Sequence, residues 1–137
     1  MLEMTQLHEE HAPGSATVAT DTVNVARLDD VADEFLDASR RVFLKLDLQG
    51  YELAALRGAE RTLEQVYAVE VELSLVELYR GQPLFPEVFE HLAVRGFRCV
   101  GLDPVFVDHE SGYLLQVDGL FVRETSAGGI GDEGPLA

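Results

Sequence analysis

The sequence predicts an α/β domain built on a mostly parallel sheet that closes with an antiparallel strand pair. Three observations predict it. Stretches with a two-residue hydrophobic period alternate with stretches of helical period along the chain. Helical patterns stand between successive strand patterns, which favours parallel pairing through right-handed crossovers. The last two strands have no helix between them, and a short connection joins neighbours most easily as an antiparallel pair.

Val23–Arg27 alternates and reads as a short strand. Asp29 then caps a helix through about Ala38, with Val31, Phe35 and Leu36 on one face. Val42–Leu48 is a strand that Gly50 ends. A helix follows over about Glu52–Val66, with Leu53, Leu56, Ala59 and Leu63 along one stripe. Gly58 inside it costs about 1 kcal/mol relative to Ala, so a close contact with a neighbouring strand is expected there. Val69–Leu73 is the next strand. Pro86 in a first turn and Gly96 just past an end frame a helix carrying Val88, Phe89 and Leu92. Phe97–Leu102 and Leu115–Val122 are the closing strands, and the loop between them holds Asp108, His109, Glu110, Ser111 and Gly112.

A chain of 137 residues is one domain or less. Residues 1–20, with Pro13, Gly14 and Ser15 and no sustained period, read as a flexible N-terminal segment. Residues 21–123 form the α/β domain. Residues 124–137 read as a Gly-rich tail. Hydrophobic residues at 47 % and charged residues at 26 % fit a globular chain. No apolar run approaches the roughly 20 residues of a membrane helix, and the first residues lack the pattern of a signal peptide. Ten basic residues, nine Arg and Lys45, face 25 acidic ones, for a net charge of -15. Such a field repels phosphate backbones, and no basic patch offsets it, so no nucleic-acid partner is expected. The acidity fits either a high-salt cytoplasm or a GC-rich genome. Cys99 alone allows no internal disulfide and fits a reducing, cytoplasmic setting.

In an open parallel sheet, ligands bind beyond the carboxyl ends of the strands. That rule directs attention to Lys45, Asp47, Gln49, Glu52, Glu70, Glu72 and Ser74. Lys45 and Asp47 share one strand face, where charge needs a partner or a ligand; they can also satisfy each other or lie on an exposed edge. Glu70 and Glu72 repeat the geometry one strand later, where a partly solvated face accounts for them as well. Other motifs are weaker. His8 and His11 stand three apart with no third metal ligand evident. Asp108-His109-Glu110 reads as a polar loop. Ser74 and Ser111 have no base at a recognisable spacing. Cys99 reads as an inert core thiol. Gly129-Ile130-Gly131-Asp132-Glu133-Gly134 matches a dinucleotide-binding spacing but opens no helix, so it is set aside.

Phe43-Leu44-Lys45-Leu46-Asp47-Leu48-Gln49-Gly50-Tyr51-Glu52-Leu53, followed by Ala55-Leu56-Arg57-Gly58-Ala59, resembles the central block of FkbM-type methyltransferases. That block runs Lys-Ile-Asp-Val-x-Gly-x-Glu, then Val/Leu-Leu-x-Gly-Ala. Arg27-Leu28-Asp29-Asp30, Glu70-Val71-Glu72, Glu77–Gln82 and Asp118–Val122 resemble its flanking segments. The likeness spans about residues 22–123.

The resemblance implies the carboxyl-terminal half of a Rossmann-like class I methyltransferase that uses S-adenosylmethionine, commonly on hydroxyls of sugars or small metabolites. By resemblance, Asp47 faces the transferring methyl and binds the acceptor or acts as base. Lys45 orients it or holds an acceptor oxygen, and Glu72 binds substrate at the next strand end. Asp47, Leu48 and Glu52 border the cofactor. The family's Gly-rich turn and its ribose-binding acid would lie upstream of residue 1. The edge of strand 42–48 would then be bare, to be paired with a second copy in a homodimer or covered by Val23–Ala26, or left to aggregate. Two alternatives stand beside the enzyme: a non-catalytic remnant that serves as an interaction module, and one half of a split methyltransferase.

Overall fold

The computed structural model describes residues 2–12, 14, 15, 17–36 and 41–124. Its helices are α1 (Gln6–His11), α2 (Leu28–Val31, continued by a 3-10 turn at Ala32–Glu34), α3 (Glu52–Arg57), α4 (Glu60–Leu63) and α5 (Phe85–Ala93). Its strands are β1 (Val42–Leu46), β2 (Val66–Ser74), β3 (Phe97–Val107) and β4 (Leu114–Arg123). They form one sheet in the order β1-β2-β4-β3. The Gly129–Gly134 motif and the expected helix end at Ala38 lie outside the described residues.

The expectation of a mostly parallel sheet is corrected. Only β1 and β2 pair in parallel; β2–β4 and β4–β3 are antiparallel. The reason lies in the burial of the closing hairpin. β4 buries Leu115, Val117 and Phe121 and takes an inner slot beside β2. β3 carries Pro104, which has no N–H for a ladder, together with three register shifts and exposed Val100, Leu102 and Val105, so it is the edge. The connection from β2 through α5 to β3 therefore passes the slot that β4 fills. β1 is the other edge, and among the described residues nothing pairs with its free side.

Helices cover one face of the sheet. Leu46, Val69, Val71, Leu73, Val117 and Phe121 pack there against Leu53, Leu56, Leu63, Val88 and Leu92. The alternate positions of the same strands face the other way: Phe43 and Lys45 on β1, Glu70 and Glu72 on β2, Asp118 and Leu120 on β4.

Several boundaries move. Val23–Arg27 is not a strand: it pairs with nothing, and Val23 and Val25 are exposed, so it does not cover β1. A short alternation without a ladder partner has no reason to stay extended in a sheet. The expected helix over Glu52–Val66 breaks at Gly58 and ends at Leu63, and Val66 opens β2. Asp29 explains the break. It does not cap its own helix, whose N-cap is Arg27. Its carboxylate accepts from the Thr62 N–H at 2.8 Å, the Thr62 hydroxyl at 2.8 Å and the Arg61 N–H at 3.2 Å. Those are free donors of the first turn of α4, where the N-cap residue Ala59 has no acceptor side chain. Gly58, the C-cap of α3, lies beside the α2 segment. Its carbonyl accepts from the Asp29 N–H at 2.9 Å, and a Cβ there would lie 3.7 Å from the Arg27 Cα. Its close neighbour is thus the α2 segment, not a strand.

The N-terminal residues, expected to carry no element, hold α1 and a backbone bridge between Met4 and Tyr79. The Thr5 N–H donates to the Leu78 carbonyl at 2.9 Å and the Arg80 N–H to the Glu3 carbonyl at 2.8 Å.

Two substitutions test this frame. Asp29→Ala strands the two buried Thr62 donors and the part-buried Arg61 N–H and is expected to cost about 2–4 kcal/mol in chemical denaturation. Burial alone would push the Asp29 carboxyl up, but the Thr62 and Arg61 hydrogen bonds and the Arg27 charge hold it below the usual range. Its stabilising share is therefore present above the unfolded pKa and lost as pH falls through the folded one. Gly119→Ala puts a Cβ 2.5 Å from Leu73 Cδ1 and 2.8 Å from Phe121 Cε2, both side chains fully buried. Overpacking of about 1–3 kcal/mol should appear as a lowered melting temperature.

Candidate active site at the carboxyl ends of β1 and β2

The parallel register places Lys45 opposite Glu70, and the antiparallel register places Glu72 opposite Asp118. These side chains share the helix-free face. Lys45 does not pair with Asp47. Its Nζ donates to Glu70 Oε1 at 2.5 Å, and that hydrogen bond, the Glu70 charge and the charges of Asp118 and Asp47 hold the Lys45 ammonium above its ordinary pKa.

Asp47 lies just past the end of β1 and is exposed. Its Oδ1 accepts from Gln49 Nε2 at 2.8 Å. The Tyr79 hydroxyl in turn donates to Gln49 Oε1. Glu52 is buried and serves the local backbone. Its Oε1 accepts from the Leu48 N–H at 2.8 Å and the Gly50 N–H at 3.2 Å. It thereby closes the turn that leads from β1 into α3. The Leu48 side chain is 40 % exposed, free to border a ligand. Gly50 has φ +93, and a Cβ there would meet Leu2, Gln82 and Tyr79 at 2.8–3.2 Å, so the turn is pressed against the Leu78–Gln82 segment.

Glu72 is half-buried between these groups. Burial pushes its carboxyl up to about 7, and the charges of Asp47, Glu52 and Asp118 add to the shift, while the Gln116 amide opposes it. Asp118 is raised for the same reasons: burial first, then Glu70, Asp47 and Asp103, against the pull of Lys45. Four carboxylates thus gather at one strand end, and Lys45, the cation nearest to them, is tied to Glu70. Buried Ser74 accepts from Gln116 Nε2 at 3.2 Å and has no base beside it.

Sequence reasoning reached Lys45, Asp47, Glu52 and Glu72, and the structure brings them to one strand end. It left the partner of Lys45 open, and the structure supplies Glu70. It also missed Tyr79 as a site residue. Tyr79 lies outside any periodic element, in a turn where Gln82 Oε1 accepts from its N–H at 2.6 Å. Only the contact with Gln49, thirty positions away, betrays it. The two N-terminal histidines serve packing. The His8 ring stands edge-on to Tyr79 at 4.9 Å, and His11 Nε2 lies 3.1 Å from Asp108 Oδ1. Asp108 closes the β3–β4 loop by accepting from the Glu110 and Ser111 N–H groups. Among the described residues, no group of three or more His, Cys, Asp or Glu is arranged to hold a metal ion.

A shallow cavity of about 310 Å³ opens at the other end of the sheet, lined by Glu60, Leu63, Glu64, Arg95 and Arg123. Its cation Arg123 is already engaged. The guanidinium donates to the carbonyls of Leu63, Val66 and Arg95 and lies over the Phe97 ring at 4.3 Å. Arg95, the cavity's other cation, donates to the His91 carbonyl at 3.0 Å and to Glu60 Oε1 at 2.7 Å, so both guanidinium groups of this helix–strand junction already have partners.

No helix among the described residues is long and apolar enough to cross a membrane. No curated protein and no solved structure matches the chain. The profile of the methyltransferase FkbM domain matches residues 2–99, beginning well before the region of likeness read from the sequence and taking in the N-terminal segment, β1, β2 and the Tyr79 turn. The chain belongs to the FkbM methyltransferase domain family.

Proposed function

We propose that this chain takes part in S-adenosylmethionine-dependent methylation of a hydroxyl on a sugar or small metabolite. The observation that carries the reading is the placement of Glu72, half-buried on the open face opposite Asp118 and one strand away from Asp47, where burial pushes its carboxyl up to about 7. An acceptor hydroxyl must lose its proton as the methyl arrives, and a base poised near neutral pH suits that transfer. Family membership supports methyl transfer as the chemistry.

The residues fit the charged end of the cofactor. A sulfonium is a cation, and Asp47, Glu52, Glu72 and Asp118 supply a negative field in which Lys45 is already neutralised by Glu70. When bound, the cofactor supplies an activated methyl group, so the protein's share is alignment. Asp47 holds the acceptor hydroxyl, Glu72 takes its proton, and Leu48 contributes apolar wall. Glu52 keeps the turn in shape. Among the described residues there is no Gly-rich strand-to-helix turn for the methionine carboxylate. The free edge of β1 is where the rest of a Rossmann-like sheet would pair, supplied by a second copy in a homodimer or by another chain.

Calorimetric titration with S-adenosylhomocysteine tests the reading. Micromolar binding supports it, as does weaker binding of S-adenosylmethionine, with its sulfonium charge, by Asp47→Ala. A folded chain that shows no binding, alone or at concentrations where it dimerises, overturns it in favour of a non-catalytic interaction module. In an active assembly the rate of methyl transfer is expected to rise with pH through about 7 as Glu72 loses its proton, and Glu72→Gln should remove that limb.

The same shift has a stability consequence. The folded pKa of Glu72 lies above its unfolded value of 4.5, so the folded state binds more protons between about 4.5 and 7. Stability therefore falls as pH rises through that window. Glu72→Gln should raise the melting temperature by a few degrees at about pH 8 and leave it little changed at about pH 4.5, measured by calorimetry on the same preparations.

A further inference from the structure

We propose that Tyr79 and Gln49 are positioning residues that fix the Asp47 carboxylate through a hydrogen-bonded relay running from the protein's interior to its exposed strand end. The role given to Asp47 rests on the methyl-transfer reading; the relay itself does not.

An exposed aspartate one residue beyond a strand is free to rotate, and a carboxylate that must meet an acceptor hydroxyl has to be held within a narrow range of orientations. Gln49 provides the hold, its Nε2 donating to Asp47 Oδ1 at 2.8 Å. The backbone is bent to make that contact. Gln49 has φ +54 and is, among the described residues, the single non-glycine with positive φ. A side chain in that region costs about 1 kcal/mol, and such strain persists where the surroundings over-determine it. They do so here. Glu52 Oε1 binds the N–H of Leu48 on one side of Gln49 and of Gly50 on the other. Gly50 is wedged against Leu2, Gln82 and Tyr79.

The inner end of the relay is equally fixed. Tyr79 is 4 % exposed, and a buried phenol needs an acceptor, which Gln49 Oε1 supplies. Burial and the charges of Glu72, Asp47 and Glu52 push the Tyr79 hydroxyl up to about 12, so it remains a donor. Gln82 holds its backbone, His8 holds its ring edge-on, and Met4 bridges its main chain. Gln is the residue that accepts from Tyr79 and donates to Asp47 at once; Glu at the same place can only accept. The FkbM block leaves this position open, so family membership alone does not assign the role.

The test uses the whole chain, labelled with nitrogen-15, and follows the Gln49 side-chain amide by NMR. Asp47→Ala and Tyr79→Phe are each expected to move both Gln49 amide proton resonances by several tenths of a ppm while the fold's backbone amides elsewhere stay in place. If the Gln49 resonances ignore both substitutions, no relay exists, whatever the chain's activity. Titration with S-adenosylmethionine, whose sulfonium charge the Asp47 carboxylate faces in the methyl-transfer reading, then reads positioning. Gln49→Glu, which removes the hydrogen bond to the charged Asp47 carboxylate, is expected to weaken binding about tenfold, and Tyr79→Phe, which removes a neutral hydrogen bond one step further in, about threefold. Wild-type affinity in both variants overturns the positioning role even where the NMR coupling is present. Absence of binding by the wild-type chain counts against the methyl-transfer reading and against the role of Asp47 in it, and the NMR arm still decides the relay.

Discussion

The parallel pairing of β1 with β2 governs the rest of this molecule. It sets Lys45 beside Glu70 and aligns the ends of the two strands, so that the turn after β1 meets the segment after β2. Everything at the candidate site follows from that alignment. Glu52 can close the first turn only because α3 starts directly behind it, and Tyr79 can reach Gln49 only because the second segment folds back over Gly50. The other strand neighbour, β4, adds Asp118 opposite Glu72 by an antiparallel register.

That arrangement carries an electrostatic cost. Carboxylates that gather at one strand end raise one another's pKa, and partial burial raises them further. Lys45 is bound to Glu70, and burial pushes the Glu72 carboxyl up beside it. A fold selected for stability alone would place a neutral side chain at position 72, since a half-buried acid with a pKa near 7 works against folding above its unfolded pKa. The helix-covered face shows that the chain can build an apolar core without such groups, with Val69, Val71 and Leu73 on the same strand fully buried. The conflict is confined to the open face and to the end where the family's central block lies.

Much of this was legible in the sequence. β1, β2, α5 and the closing hairpin follow from period and from Pro86 and Gly96, because those signals are local. The strand order was not, because it depends on which member of the hairpin buries more: Phe121 and Val117 carry β4 inward, whereas Pro104 holds β3 at the edge. The break at Gly58 was not legible either, since its cause is Asp29, thirty-three residues away from Thr62. At the site, alternation put Lys45 and Asp47 on one face of their strand and Glu70 and Glu72 on one face of the next. It could not choose the partner of Lys45, because pairing is set by the register between strands and not by spacing within one.

The N-terminal segment shows how the long-range contacts join into one construction. By composition it is a loose arm, and its charges and small residues give no period. Yet it is held at three separated points: backbone bonds to Leu78 and Arg80, the His8 ring against Tyr79, and His11 against Asp108 of the β3–β4 loop. The three anchors lie on elements that the sheet brings to the same end, so the arm ties the turn after β2 to the hairpin that β4 closes. Protonation of His11 strengthens the last tie, since the Leu7 carbonyl and the Asp108 carboxylate both favour the charged ring. Burial holds His8 below its usual pKa, against the pull of Glu9. The inner end of the Asp47 relay depends in this way on residues far upstream of it in the chain, which no local pattern in the sequence records.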